Sequence, residues 1–112
     1  MELATRKEGK VQIIQLEGRL DVHLSLEIEQ AVNDLIDKGE KYLLFDLDGV
    51  QYLSSSGLRI FIAAMRRLKG VDGSLKLVNM SESVKKIFKV VELIDLFEIY
   101  TSVDEAIQAF GD

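Results

Sequence analysis

The sequence predicts a mixed α/β domain: a mostly parallel sheet built from right-handed βα units, with one antiparallel strand added at the N-terminus. Three observations predict it. Strand-like and helix-like segments alternate from residue 10 onward, the pattern of parallel strands joined by helical crossovers. The run Tyr42-Leu43-Leu44-Phe45, continuing to Leu47, is apolar almost without interruption, as in a central strand buried on both faces. The helical segments carry one apolar stripe each, which suits a layer with the sheet on one side and water on the other.

Each element has its own signal. Residues 2–7 form a weak strand, and Glu8-Gly9 a turn. Lys10 to Glu17 alternates polar and apolar residues around Val11 and Ile13, so the two runs pair as an antiparallel hairpin that ends at Gly18. Leu24, Ile28, Ala31, Val32, Leu35 and Ile36 recur at helical spacing, and Lys38-Gly39 stops that helix. The central strand Tyr42–Leu47 ends in Asp48-Gly49, read as a turn. Leu58, Phe61, Ile62, Met65 and Leu68 mark the second helix, starting near Gly57 and Leu58, and Leu44, Phe61, Ile62 and Met65 are expected in the core. Gly70 and Gly73 frame the next loop, and Leu75–Val78 is a short strand. Val84, Ile87, Phe88 and Val91 mark a third helix capped by Ser81. Phe97–Tyr100 is the last strand, and Ser102 to Glu105 reads as a capping box ahead of a final helix. No linker, repeat or low-complexity stretch divides the chain, so residues 1–112 are expected to form one domain.

Composition excludes several function classes. There is no Cys and a single His, His23, so no metal centre, iron–sulfur cluster or cysteine nucleophile is expected. No cofactor is expected either, because the eight glycines form neither a dinucleotide fingerprint nor a P-loop. The net charge of −5 disfavours nucleic acid as a partner. No apolar run reaches the length of a membrane span, and the N-terminal residues lack a secretory core, so a cytoplasmic location is expected.

Chemistry concentrates at the carboxyl ends of two strands, where ligands gather in open parallel sheets. One is Gly18-Arg19-Leu20-Asp21. The other is Gln51-Tyr52-Leu53-Ser54-Ser55-Ser56-Gly57-Leu58, which sets three hydroxyls at a helix start. Such a loop has three uses: helix capping, which one serine satisfies; anion binding by free N–H groups; and phosphorylation, which places about −2 charge at the favourable end of a helix. A hydrolase using Ser55 and His23 is the enzymatic alternative, but the G-x-S-x-G elbow is missing. Charge is also patterned. Residues 20–40 carry six acidic groups and one Lys, whereas residues 58–70 carry Arg59, Arg66, Arg67 and Lys69. Opposite faces beside one loop are suited to steering a protein partner, and Arg59 to approaching a phosphate on the loop.

Gly18-Arg19-Leu20-Asp21, the strand Leu43-Leu44-Phe45-Asp46-Leu47 and Tyr52-Leu53-Ser54-Ser55-Ser56-Gly57-Leu58 together resemble a STAS domain, and more narrowly the stand-alone bacterial anti-sigma factor antagonists. The resemblance covers essentially the whole chain. It implies a STAS-like sheet and no enzymatic activity. It also implies a phospho-switch: an anti-sigma factor that is itself a serine kinase modifies a loop serine, and a PP2C-type phosphatase restores it. The unmodified antagonist captures the anti-sigma factor and frees sigma. By the family pattern the acceptor is Ser55, with Ser56 as runner-up, and Asp21, Ser54, Ser56, Gly57, Leu58 and Arg59 form the docking surface. The family pattern has Asp before the acceptor, where this chain has Ser54. That departure keeps open a non-phosphorylated STAS adaptor, for example a lipid-transporter subunit.

Overall fold

The computed structural model describes residues 3–111. The elements are β1 (Ala4–Glu8), β2 (Val11–Leu20), α1 (Val22–Asp37), β3 (Tyr42–Leu53), α2 (Ser55–Lys69), β4 (Ser74–Val78), α3 (Glu82–Val90), β5 (Glu98–Tyr100) and α4 (Val103–Phe110). The expected order is therefore present, with a 3-10 turn at Ile94–Leu96 that the sequence did not announce. Glu2, assigned to the first strand from sequence, lies outside the described residues.

The five strands lie in the order β1-β2-β3-β4-β5. β1 runs antiparallel to β2, and every later pair is parallel. Alternation along the strands sorts side chains onto two faces. Ile14, Leu16, Leu43, Phe45 and Leu47 face the layer of α1, α2 and α3. Val11, Ile13, Leu44 and Val78 face α4 through Ala106 and its neighbours Val103, Ile107 and Phe110. Three crossover helices on one face is what successive crossovers of one hand produce when the strands add in sequence order. Leu44 is fully buried, as expected, on the α4 side of the sheet. Phe45 faces α2, its ring 5.0 Å from Phe61 in an edge arrangement. Ile62 and Met65 are only partly buried.

One buried cation belongs to the α4 face. Lys76 on β4 is 6% exposed, is ion-paired with Glu98 of the adjacent strand, and sits 4.8 Å from the Phe110 ring centre. The pair and the ring supply the partners that a buried ammonium group requires.

β2 and β3 run further than the sequence suggests. Gly18 does not end β2, and Asp48-Gly49 is not a turn: both lie inside long paired strands. The register slips between Gln15 and Glu17 and again between Gly18 and Arg19, so β3 carries the extra residues as bulges. Gly49 is needed there, because a Cβ on it would stand 2.6 Å from the Cβ of Glu17. Bulges bend a strand and re-aim its end. Here they carry the ends of β2 and β3 side by side to Leu20 and Leu53, and that delivers the serine loop.

Candidate functional site

Two helix starts stand together at the carboxyl edge of the sheet. The first follows β2, where the Asp21 carboxylate caps α1 by accepting from the Leu24 N–H at 3.0 Å. The second follows β3. Ser54 caps α2, its Oγ accepting from the Gly57 N–H at 3.2 Å. The same hydroxyl donates to the Leu20 carbonyl at 2.7 Å, and the Ser54 N–H donates to that carbonyl at 3.0 Å. One small side chain thus joins the end of β2 to the start of α2. A carboxylate could accept from Gly57 but could not donate to Leu20.

The helix therefore begins at Ser55, two residues earlier than the glycine suggested. Ser55 is its first residue and is exposed, Ser56 is second and half-buried, and Gly57 is third and buried. A Cβ on Gly57 would lie 2.8 Å from Leu53 Cδ2 and 3.4 Å from Leu20 Cβ, so the helix start presses directly on the strand ends. Leu58 points into the core among the sheet-facing residues. Gly57 and Leu58, expected in the docking surface, are buried beneath the helix start. The accessible groups are Asp21, Ser55 and Arg59, with Ser54 and Ser56 partly so.

The structure adds residues to which the sequence assigned no role. Arg19 lies over the ring of Tyr52 at 4.3 Å, a cross-strand cation–π pair at the rim. Val22 and Leu26 are both 56% exposed on the first two turns of α1. Residue types alone gave no signal for this exposure; Val22 and Leu26 reveal it by lying off the stripe of Leu24, Ile28 and Val32. On the other flank, Ser83 at the start of α3 donates to the Gln51 carbonyl at 3.1 Å and ties down the approach to the loop.

The two charged faces are not independent. Arg67 donates to Asn33 Oδ1 at 2.6 Å and pairs with Asp37 at 2.5 Å, so it joins α2 to α1 and is unavailable as a steering charge. Arg59 and Arg66 remain exposed. Asp46 is buried and accepts from the Asp48 N–H and the Asn79 amide. Among the described residues no group of three or more His, Asp or Glu side chains is placed to hold a metal ion. His23 is exposed and lines a shallow cleft with Glu17, Arg19, Asp21 and Glu27, to which Ser55 does not contribute. The Ser55–His23 hydrolase finds no support in that arrangement. No helix is long and apolar enough to cross a membrane among the described residues.

The STAS domain family matches residues 2–106. This chain belongs to the STAS family. Among its relatives is BtrV of Bordetella bronchiseptica, whose description is that of an anti-sigma factor antagonist. BtrV is 28% identical over 110 residues, covering 98% of this chain and 95% of the relative. The anti-sigma-B factor antagonist of Staphylococcus aureus is 24% identical over 99 residues, covering 88% and 92%. The unphosphorylated form of the anti-sigma factor antagonist SpoIIAA superposes with a TM-score of 0.83 at 24% identity, over 96% of this chain and 95% of that one. The Bacillus SpoIIAA in its phosphorylated form gives 0.75 at the same identity, over 96% and 98%. At that identity these two structures speak for the fold: a STAS sheet with β1 antiparallel and the remaining strands parallel.

Proposed function

We propose that this chain, as one STAS domain over residues 1–112, is an anti-sigma factor antagonist that works by partner switching. The observation that carries the reading is Ser55: an exposed hydroxyl on the first residue of α2, beside a cap and a buried glycine that hold the helix start in place. The relatives named as anti-sigma factor antagonists, which match this chain over nearly its full length, support it.

In the unmodified state the rim of Asp21, Ser55, Ser56 and Arg59 docks an anti-sigma factor that is also a serine kinase, so sigma is released. That kinase transfers the γ-phosphoryl group of ATP to Ser55 Oγ; the hydroxyl proton leaves and ADP departs. The added charge sits at a helix start, where it is tolerated by the fold. The partner does not tolerate it, because an unpaired dianion in an interface is costly. A 100-fold loss of affinity requires only about 2.7 kcal/mol. A PP2C-type phosphatase returns the serine by hydrolysis with water, releasing inorganic phosphate. The chain itself performs no catalysis in this scheme, which operates in the cytoplasm. The test is capture from native lysate, read by mass spectrometry. Ser55→Ala bait should retain an anti-sigma factor and Ser55→Asp bait should lose it. Equal capture by both would overturn the switch.

A second reading has one observation in its favour. Ser54 stands where the family pattern has Asp, and its hydroxyl is occupied by Leu20 and Gly57. A STAS adaptor that docks constitutively needs no carboxylate beside an acceptor. Capture of transporter subunits by both baits would favour it.

A further inference from the structure

Arg59 lies one helical turn beyond Ser55. On a helix, side chains meet those three and four positions away. For Arg59 those are Ser55, Ser56, Ile62 and Ala63, so no carboxylate on α2 competes for it at those positions. The first turn of α2 contains no acidic residue. Arg59 is exposed and makes no ion pair or hydrogen bond among the described residues, whereas Arg67 on the same helix is fixed to Asn33 and Asp37. Long helical side chains lean toward the N-terminus of their helix, which for Arg59 is the direction of the turn that holds Ser55 and Ser56. Neither of those hydroxyls is engaged among the described residues, while that of Ser54 is engaged twice.

We propose that Arg59 is the intramolecular ligand of a phosphate carried by Ser55. The proposal rests on Ser55 being the phosphoacceptor. The guanidinium fork matches phosphate oxygens, and a negative group placed four residues before a cation is the favourable order on a helix. The consequence is a two-part switch. Modification adds a dianion to the rim and at the same moment withdraws an unpaired cation from it, so a partner that pairs with Arg59 loses that contact as well as meeting the phosphate.

The test installs phosphoserine at position 55 through genetic encoding, which makes it independent of any kinase. Four chains are compared: unmodified and phosphorylated, each with Arg59 or with Arg59→Gln. The two unmodified chains should melt together, since Arg59 holds nothing there. Phosphorylation should raise Tm by about 1–3 °C more with Arg59 than with Gln, the size of an exposed i,i+4 ion pair in a domain of this length. That difference should vanish in roughly 1 M salt. The phosphorus NMR titration of the phosphate should move to lower pH with Arg59 present. Arg19 at the end of β2, Tyr52 at the end of β3, Asp21 and His23 at the start of α1, and Glu29 of α1, which lines a groove with Ile60 and Ala63 of α2, also stand near this edge. They are common to all four chains, so the comparison isolates Arg59. Equal Tm increments with superimposable phosphate titrations would overturn the proposal. A kinase assay that leaves Ser55 unlabelled would instead overturn the assignment of the acceptor, and the two failures are read separately.

Discussion

Replacing Ser54 by Ala removes one hydroxyl and two hydrogen bonds, and the structure says what each was doing. The Gly57 N–H, donated to Ser54 Oγ at 3.2 Å, is left without its cap. The Leu20 carbonyl loses the hydroxyl at 2.7 Å but keeps the Ser54 N–H at 3.0 Å, so it is not orphaned. Loss of an N-cap serine costs about 0.5–2 kcal/mol, and Gly57 is buried, which pushes the value to the upper half of that range. A destabilisation of about 1–2 kcal/mol should lower Tm by roughly 5–12 °C in a domain of this size. The assay is thermal unfolding by circular dichroism together with amide hydrogen exchange. The Gly57 amide should exchange faster than those of β3, whose ladder is untouched. Ser54→Asp restores an acceptor for Gly57 and places a negative charge at the helix start, so it should recover most of the loss. A Ser54→Ala chain with unchanged Tm and unchanged Gly57 exchange would refute the claim that this hydroxyl holds the loop.

Other outcomes follow from the same geometry. Gly49→Ala forces a Cβ to 2.6 Å from Glu17 Cβ, so the bulge must shift; we expect a loss of about 1–3 kcal/mol in urea unfolding, as for overpacking. Leu44→Ala opens a cavity under α4 and should cost about 2–5 kcal/mol, with faster exchange in α4 than in α2. Arg59→Glu combined with Arg66→Glu should slow association with the anti-sigma factor and weaken its salt dependence while leaving Tm unchanged. Arg67→Glu should lower Tm, because it breaks the tie to Asn33 and Asp37.

What could be read in the sequence was whatever a single element encodes alone. The helical stripes of α1 and α3, the Ser81 cap and the apolar run of β3 all reside in local pattern, and each is found where expected. What could not be read depends on a second segment. Gly18 and Asp48-Gly49 look like stops because glycine and aspartate disfavour strands, yet pairing between β2 and β3 carries both strands through them as bulges. Leu44 and Phe45 are equally apolar, and only the position of α4 decides which faces α2. In the site, Ser55 and Asp21 were visible as loop residues after strands. The double engagement of Ser54 and the removal of Arg67 from the steering face were invisible, because each is set by a neighbour about thirty residues away.

The central claim is that Ser55 is the switched residue. The direct measurement is phosphopeptide mapping after incubation with ATP and the cognate kinase, followed by binding of the labelled and unlabelled chains to the anti-sigma factor. The expected result is label on Ser55 alone and loss of binding in the labelled chain. Label on Ser56, or no label on any of Ser54, Ser55 and Ser56, would contradict it.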